Sequence, residues 1–364
     1  MSTSTLANTT FPDVIVIGGG VIGLSIAWEL AGQGASVRLL EQGQFGQEAS
    51  WAGAGMLLPG NPELARSPEA QLRAESHVLW PDWTERLRAE TGIDNGYARC
   101  GGIEVRMNGS ASELDSEVSA WRSEGVLVET PSLDEFRQRF SALHPHVSSG
   151  YVLPELGQVR NPRHLKALVS ACAARGVDLR AGCPVVGFDQ TKDRILTART
   201  HQAEHHAAEF VVAGGAWSRE LLRQAGHNVS IEPVRGQMVL LETRPLPFRC
   251  VIQSGLRYLV PRADGRILVG STEEHVGFDK RNTAEAVAEL IDFARAVVPS
   301  LGAARFERCW SGLRPHATNG LPHIGRLPET ANLSVAAGHF RAGLQLSPIT
   351  AVKVANTILG RETR

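Results

Sequence analysis

A glycine-rich turn near the amino terminus, followed by an acidic residue, is the part of the sequence best suited to binding a nucleotide. The residues Gly18-Gly-Gly-Val-Ile-Gly23 satisfy the pattern GxGxxG, and Glu41 follows further along the chain. Glycines in this pattern allow a tight turn, a close approach of the backbone to a pyrophosphate, and close packing of a helix on a strand. The Glu41 carboxylate would accept hydrogen bonds from an adenosine ribose and would repel a 2′-phosphate, which argues against NADP. The pattern alone does not distinguish FAD from NAD.

The segments around this turn predict the βαβ unit that must position it. Residues 13–17 are a short β-branched apolar run, which is typical of a buried parallel strand. A helical stretch at 24–31 follows the turn, and a second predicted strand at 36–40 leads into Glu41. The amino terminus of the helix would then face the phosphates, where its partial positive charge is favourable.

A run of small residues comes shortly after Glu41. The run Ser50-Trp-Ala-Gly-Ala-Gly-Met56 would let a long cofactor lie against the backbone, which favours FAD; a flexible loop is the alternative. Further along, two β-rich runs at 258–262 and 266–270 flank an Asp-Gly pair, which predicts a hairpin. Residues 114–125 and 282–298 predict amphipathic helices packed on that hairpin's sheet. Residues 332–337 predict another strand, followed by a helix at about 344–359.

Composition excludes several classes of protein. The 364 residues are enough for two or three domains, and 37 basic against 38 acidic residues give a net charge of −1. That balance predicts no binding to nucleic acid and none to a membrane. The five cysteines form no CxxC pair, so we expect neither disulfides nor a metal site. His201, His205 and His206 are predicted to lie in a solvated loop. Residues 1–10 carry no secretory signal and predict a disordered extension on a cytoplasmic protein.

With these motifs, the sequence resembles the D-amino-acid-oxidase-like family of FAD-dependent amine oxidoreductases. The resemblance extends from residue 11 to about residue 360 and is strongest to the branch of the family that oxidises glycine in thiamine biosynthesis. It rests on the fingerprint, on the run at 50–56 and on six later motifs in the family's order. These later motifs are Val211–Ser218, Pro233–Gln237, Arg257–Arg262, Gly270–Thr272, Trp310–Pro315 and Gly338–Gly343.

The resemblance implies an α/β fold, α+β overall, with two domains. A Rossmann-like FAD-binding domain would comprise residues 11–90, 158–228 and 306–364. A second domain, built on an antiparallel sheet and holding the substrate, would comprise residues 91–157 and 229–305. The resemblance also implies a homo-oligomer.

The resemblance implies the residues that hold FAD. Helix dipole and backbone in the segment after residue 337 would face the flavin ring, and Val185 would meet the adenine end. The complete set is Gly18, Gly20, Val21, Ile22, Gly23, Glu41, Gln42, Ala49, Ser50, Ala54, Gly55, Met56, Val185, Gly338, His339, Phe340, Arg341, Ala342, Gly343, Leu344 and Gln345. Cys309 does not stand at the position of a covalent flavin cysteine in related enzymes, so FAD is expected to be non-covalent.

Three residues are implied in catalysis by the same resemblance. Arg314 would grip the substrate carboxylate with both prongs of its guanidinium, and Tyr258 would share that carboxylate. The main-chain carbonyl of Arg341 would accept from the substrate amine. Two positions depart from the family: Leu256 stands where a relative has histidine, and Glu273 stands where a relative has methionine. An inward Glu273 would disfavour bulky apolar substrates.

The implied reaction is oxidative deamination of glycine or of another small amino acid, such as sarcosine or a small D-amino acid. Hydride would leave the α-carbon for the flavin, and the imine would hydrolyse or supply the thiazole of thiamine. O₂ would reoxidise the flavin and give H₂O₂. Alternatives are a D-amino-acid dehydrogenase that reduces a membrane quinone, a sarcosine oxidase-like enzyme, and a non-catalytic flavin-binding subunit of an assembly.

Overall fold

The computed structural model describes residues 11–107 and 111–361, and the predicted extension at 1–10 lies outside them. The helices are α1 (Val21–Gly32), α2 (Ala49–Ala52), α3 (Pro68–Thr91), α4 (Ala111–Ser123), α5 (Leu133–Arg139), α6 (Asn161–Ala174), α7 (Ser218–Gln224), α8 (Ala284–Val297) and α9 (Ser347–Ile358). The strands are β1 (Val14–Ile17), β2 (Val37–Leu40), β3 (Met56–Leu57), β4 (Gly102–Met107), β5 (Val147–Leu153), β6 (Gly157–Gln158), β7 (Asp178–Arg180), β8 (Val185–Gln190), β9 (Ile195–Thr200), β10 (Glu204–His206), β11 (Glu209–Val212), β12 (Ile231–Glu242), β13 (Val251–Ser254), β14 (Arg257–Pro261), β15 (Arg266–Gly270), β16 (Arg305–Ala317), β17 (His323–Arg326) and β18 (Leu333–Ala337).

A six-stranded sheet contains the predicted βαβ unit. Its strand order is β17-β18-β11-β1-β2-β7, and β1 pairs in parallel with both β2 and β11. Successive side chains of β1 point to opposite faces. Val14 and Val16 pack with the helices α1, α6 and α9, whereas Ile15 and Ile17 pack with residues of β8 and β9. The whole of β1 is therefore buried, as its continuous apolar run predicted.

The start of α1 is packed tightly against the turn that precedes it. A Cβ built on Gly23 would lie 1.9 Å from the Gly18 carbonyl oxygen, so only glycine lets the helix approach the strand this closely. Gly18 itself has φ +111°, and a Cβ there would lie 2.4 Å from the carbonyl oxygen of Ala213. The two outer glycines of the fingerprint thus serve the packing of the turn on its neighbours.

A seven-stranded sheet forms the second part of the molecule, in the order β16-β12-β15-β14-β13-β4-β5. The predicted hairpin is confirmed, because β14 and β15 pair antiparallel across the turn that contains Asp264 and Gly265. The predicted helix at 282–298 is α8, and its buried Leu290 and Ala294 pack with buried side chains of the sheet. One pairing departs from the antiparallel expectation, since β13 runs parallel to β4. The mixed α/β fold is as predicted, and two smaller sheets, β10-β9-β8 and β3-β6, accompany the two large ones.

The pairing of the long strand β16 concerns the boundary between the two predicted domains. The strand pairs with β12 over most of its length, and residues 306–317 therefore belong to the seven-stranded sheet. From the sequence, these residues are predicted to belong to the FAD-binding domain. We propose that the division at this point lies near residue 318, and the other boundaries stay as predicted.

Two of the three histidines that were predicted to lie in a solvated loop lie on a strand. His205 and His206 lie on β10 and not in a loop, and Nδ1 of His205 is 3.4 Å from Nη1 of Arg38. These residues form a short edge strand, which pairs with β9 and which the polar sequence does not indicate.

Within residues 11–107 and 111–361, no three metal-ligating side chains form a group that could hold an ion. None of the helices described combines the length and the apolar character that a membrane span requires.

Candidate active site

A cavity of about 580 Å³ lies between the carboxyl ends of β1, β2 and β11 and the face of the seven-stranded sheet. It brings together residues that are far apart in the sequence. The predicted residues that line it are Gly18, Gly20, Val21, Ile22, Glu41, Gln42, Ala49, Ser50, Ala54, Gly55, Met56, Val185, Tyr258, Arg314, His339, Phe340, Arg341, Ala342, Gly343, Leu344 and Gln345. Two predicted residues, Gly23 and Gly338, do not line the cavity themselves and lie next to residues that do.

Glu41 lies at the nucleotide end of the cavity, at the tip of β2. The residue is only 8% exposed, and its carboxylate is held by two backbone amides. Gly19 N–H donates to Oε2 at 2.6 Å, and Gly43 N–H donates to Oε1 at 2.7 Å. A carboxylate has about four acceptor positions, so each oxygen keeps capacity for a further donor such as a ribose hydroxyl.

The amino terminus of α1 opens onto the same cavity. No acidic residue lies in its first turn and no side chain caps Gly20, so the positive end of the helix is left without a carboxylate of its own. The Val21 amide donates to Oγ of Ser50 at 2.9 Å, which joins the helix to the run of small residues. This end of the cavity suits a diphosphate.

Asn161 supplies an independent test of whether a cofactor fits. Its Nδ2 donates to the Ser50 carbonyl at 2.8 Å, whereas its Oδ1 is buried and has no partner among the described residues. A buried acceptor without a donor costs free energy, and Asn161 is a lining residue of the cavity. Together with Glu41 and the exposed helix terminus, this acceptor fits the polar groups of FAD.

Arg314 lies at the opposite end, on β16. Its guanidinium donates to the Thr272 carbonyl at 3.0 Å and to Oγ of Ser271 at 2.6 Å. Both partners are neutral, and no carboxylate of the described residues forms an ion pair with it. A guanidinium in this setting keeps its full charge for an anion in the cavity.

Tyr258 lies on β14, directly opposite Gly270 of β15. Its ring covers the glycine, since a Cβ on Gly270 would lie 2.5 Å from the ring. The phenol reaches Sδ of Met238 at 3.4 Å, and a thioether is a weak acceptor. The hydroxyl can therefore turn to a better acceptor in the cavity, such as a carboxylate held by Arg314.

Arg341 reaches the rim of the cavity, where Glu273 pairs with its guanidinium. Both side chains are partly exposed, 42% for Arg341 and 31% for Glu273. Partial burial lowers the pKa of Arg341, while the nearby phenol of Tyr258 acts in the opposite direction. Glu273 therefore forms an ion pair with a lining residue of the cavity and does not itself line the cavity, as the inward position considered from the sequence would require. Leu256, at the turn between β13 and β14, is a largely exposed part of the same mouth.

The loop after β15 positions Arg314, a role that the sequence does not indicate. Glu274 pairs with the buried Arg235 of β12, and the two residues also exchange backbone hydrogen bonds at 2.9 and 3.0 Å. Burial acts to raise the pKa of Glu274, but hydrogen bonds from Arg235 and Thr272 outweigh it and leave the pKa below its usual value. The motif Gly270–Thr272 was the only signal for this loop in the sequence.

Arg262 is a further residue near the site for which the sequence indicates no function. It is nine-tenths buried, and burial lowers its pKa to about 10. Its guanidinium donates to the Ala54 carbonyl at 2.7 Å, the Val159 carbonyl at 3.1 Å and Oε1 of Gln158 at 2.6 Å. Arg262 thereby ties the β14–β15 hairpin to the small-residue run that lines the nucleotide end.

Comparisons with known proteins show the family to which the chain belongs. The family model described as FAD dependent oxidoreductase matches residues 13–357. Glycine oxidase of Pseudomonas putida is 35% identical over 351 residues, which cover 96% of this chain and 95% of that protein. The bifunctional protein ThiO/ThiG of a Synechocystis species is 34% identical, over 97% of this chain and 52% of that protein. The crystal structure of glycine oxidase from Geobacillus kaustophilus superposes with a TM-score of 0.92 at 33% identity, covering 98% of this chain and 96% of that one.

Proposed function

This chain belongs to the FAD dependent oxidoreductase family, and we propose that within it the protein is a glycine oxidase. The overall reaction would convert glycine, O₂ and water into glyoxylate, ammonia and H₂O₂. The observation that carries the proposal is Arg314, a cavity-lining guanidinium whose partners are all neutral, at the far end of a cavity that begins at a dinucleotide fingerprint. The similarity to glycine oxidases over nearly the whole chain supports the choice of substrate.

The residues of this chain hold the substrate in place. Arg314 binds the carboxylate of the amino acid, and the Tyr258 hydroxyl donates to the same group. The Arg341 main-chain carbonyl is proposed as an acceptor for the amine. Holding both ends of so small a molecule fixes the direction of its Cα–H bond, and such orientation supplies several kcal/mol of the barrier reduction, on the order of 7–11 in well-aligned systems. When bound, FAD supplies the two-electron redox chemistry that no side chain can provide.

Apolar residues near Tyr258 bear on the size of the substrate. Met56, Met238 and Leu256 line the cavity together with Tyr258 and Arg314. These three side chains offer no polar partner to a larger polar group on the α-carbon of the substrate. Glycine, sarcosine and small D-amino acids are the substrates expected on this basis.

FAD is proposed to be held without a covalent bond. Cys309 lies on β16 opposite Val239 and packs with the core of the seven-stranded sheet, away from the residues that line the cavity. Acid precipitation of the purified protein should release the yellow colour into the supernatant. Colour retained in the pellet would show a covalent linkage and would refute this part of the proposal.

Anaerobic mixing tests the proposed reaction. The yellow protein is mixed with glycine, sarcosine, D-alanine or L-alanine, and flavin absorbance is followed before and after air is admitted. We expect bleaching by the first three, recovery of the absorbance in air, and one H₂O₂ for each glyoxylate formed from glycine. Bleaching that is reversed by a quinone but not by air would instead favour a dehydrogenase, and no bleaching by any amino acid would refute the proposal.

The imine formed from glycine has a further proposed fate. The resemblance to the glycine-oxidising branch of the family implies that it supplies the thiazole part of thiamine. A relative named bifunctional protein ThiO/ThiG, 34% identical over 97% of this chain, supports this placement. Restoration of thiamine-independent growth in a strain lacking its own glycine oxidase tests it.

A further inference from the structure

We propose that Glu273 restricts this site to amino acids that carry a single carboxylate, because it occupies a second arginine at the mouth of the cavity. The inference rests on the proposed function, since it concerns which substrates that same site accepts. It assigns a role in specificity to a carboxylate that touches neither end of a bound glycine.

Two arginines, Arg314 and Arg341, line the substrate end of the cavity, and they differ in their partners. The Arg314 guanidinium is bound by a backbone carbonyl and a hydroxyl, so its charge is uncompensated. The Arg341 guanidinium is paired with the Glu273 carboxylate. Among the described residues that line this end of the cavity, Arg314 is therefore the one guanidinium without a carboxylate partner, and it matches one substrate carboxylate.

The position of Arg341 is fixed by several contacts. Its guanidinium lies 5.1 Å from the ring centroid of Phe340, and the Phe340 amide donates to the Pro315 carbonyl at 2.7 Å. Pro315 is the residue after Arg314 on β16, so the loop that carries Arg341 is attached next to the clamp. Arg341 also interacts electrostatically with Tyr258, the second residue proposed to bind the carboxylate. The second arginine is therefore close to the residues proposed to bind the substrate carboxylate.

A second carboxylate on the substrate would meet unfavourable charge at this mouth. With the first carboxylate on Arg314, the second carboxylate of a molecule such as iminodiacetate would reach toward Arg341, whose guanidinium is paired with Glu273. The Glu273 carboxylate would repel the incoming anion and would compete with it for Arg341. Without that carboxylate, the planar guanidinium of Arg341 is free to bind the second carboxylate through two N–H groups.

The neighbouring residue shows that Glu273 can be changed without loosening the loop. Glu274 pairs with the buried Arg235 and bridges the loop to β12, and this pair has the structural role. Glu273 points the other way, toward the partly exposed Arg341. Replacement of Glu273 leaves the Glu274 contacts and the two hydrogen bonds of Arg314 in place.

A matched control pair joins helix α8 to strand β14 of the seven-stranded sheet. Glu289 of α8 pairs with Arg257 at 2.7 Å, and its side chain is 52% exposed. Neither Glu289 nor its partner Arg257 lines the cavity, whereas Arg341, the partner of Glu273, does. Glu289→Gln therefore removes one carboxylate from one arginine, as Glu273→Gln does, and changes the net charge equally without altering the mouth.

The test compares four FAD-loaded proteins: wild type, Glu273→Gln, Glu289→Gln and the double variant Glu273→Gln with Arg341→Gln. For each, kcat/KM is measured with glycine and with iminodiacetate, and Kd is measured from the change in flavin absorbance with acetate, malonate and succinate. We expect Glu273→Gln to raise the iminodiacetate-to-glycine ratio of kcat/KM about fivefold, the size of effect typical of a partly exposed charge pair. Malonate or succinate should bind more tightly relative to acetate by a similar factor. Glu289→Gln should change neither ratio, and the double variant should lose the gain.

Several outcomes would overturn the inference. These are an unchanged ratio in Glu273→Gln, an equal rise in Glu289→Gln, or a gain that persists in the double variant. Glu273→Ala repeats the test with a shorter side chain if the glutamine variant folds poorly. A wild-type protein that glycine does not reduce would refute the proposed function, and the binding of malonate and succinate relative to acetate would still decide the role of Glu273.

Discussion

The Arg314 guanidinium lies directly over the backbone of Gly236, in the neighbouring strand β12. A Cβ built on Gly236 would lie 2.3 Å from Nη2 of Arg314, so the arginine side chain occupies the space that any other residue would fill. Val234, two residues before Gly236, is the partner of Arg314 in the register of the two strands. The arginine side chain therefore extends across its neighbouring strand to reach the cavity.

Loss of the Arg314 side chain should weaken catalysis without affecting the cofactor. Arg314→Ala removes the positive charge that we propose to face the substrate carboxylate. The value of kcat/KM with glycine should fall by an amount that corresponds to a loss of roughly 2–5 kcal/mol of transition-state stabilisation, as when one partner of a buried charge pair is lost. Arg314→Lys should recover little, because an ammonium cannot form the two parallel hydrogen bonds. Steady-state kinetics with glycine and sarcosine measure the effect, and the flavin spectrum serves as the control. A kcat/KM near that of the wild type in Arg314→Ala would exclude the carboxylate clamp.

Gly236→Ala should displace the same guanidinium while leaving its charge in the protein. The new methyl group meets the mobile end of Arg314, so the side chain moves and the strand keeps its place. A misplacement of this kind should lower kcat/KM roughly 10- to 100-fold. Gly302→Ala is the control, because a Cβ there makes only ordinary contacts of 3.7 to 3.9 Å with Arg295. Equal activities of the two variants would show that the position of Arg314 is unimportant.

Glu41→Ala should weaken FAD binding and leave the reaction unchanged once FAD is saturating. The variant removes the proposed acceptor for the ribose and also leaves the Gly19 and Gly43 amides without their carboxylate. Loss of hydrogen bonds to a charged group should cost about 1.5–3 kcal/mol of binding free energy. Fluorescence titration of the apoprotein with FAD measures the change, and Glu85→Ala on the exposed face of α3 provides the comparison. A reduced kcat at saturating FAD would mean that Glu41 acts on the reaction itself.

The buried histidine His164 should make the fold sensitive to acid. Burial lowers its pKa to about 3 in the folded protein, against about 6.5 for an exposed histidine. Below pH 6.5 His164 is therefore protonated in the unfolded chain but stays neutral in the folded protein. The free energy of unfolding falls as the pH falls, until His164 is protonated in both states below about pH 3. At pH 5 this one residue contributes a loss of about 2 kcal/mol.

His164→Gln tests that expectation by urea unfolding at pH 7 and pH 5. The difference in unfolding free energy between the two pH values should shrink by about 2 kcal/mol in this variant. His201→Gln, at an exposed position, should behave as the wild type. If both variants keep the full pH dependence, other buried groups such as His339, whose pKa burial also lowers to about 3, account for the acid sensitivity.

The nucleotide end of the site could be predicted from the sequence because its signals are local. The fingerprint, the strands around it and Glu41 lie within one short stretch, and the periodicity of each element is visible in the sequence. The β14–β15 hairpin was predictable for the same reason, from the Asp264-Gly265 pair between two β-rich runs. Local patterns of this kind need no knowledge of the rest of the fold.

The substrate end depends on contacts between distant parts of the chain, and local patterns do not encode them. The pair of Glu273 with Arg341 and the hydrogen bond from Arg262 to Ala54 join different elements, brought together only by packing. The pairing of β16 with β12 over residues 306–317 is likewise non-local, and our proposal of a boundary near residue 318 rests on it. A polar edge strand such as β10 lacks the apolar alternation that would have announced it.

The strand order of the six-stranded sheet has a consequence for the protein during its synthesis. β1 is made well before its neighbour β11, and β18 pairs with β11 only after residue 333 is made. The segment 339–345, which completes the cavity wall, comes later still. Such long-range pairings must wait for their partners. A nascent chain therefore carries its nucleotide fingerprint without a finished pocket until residues 339–345 are made, and the complete cavity wall exists only after that point.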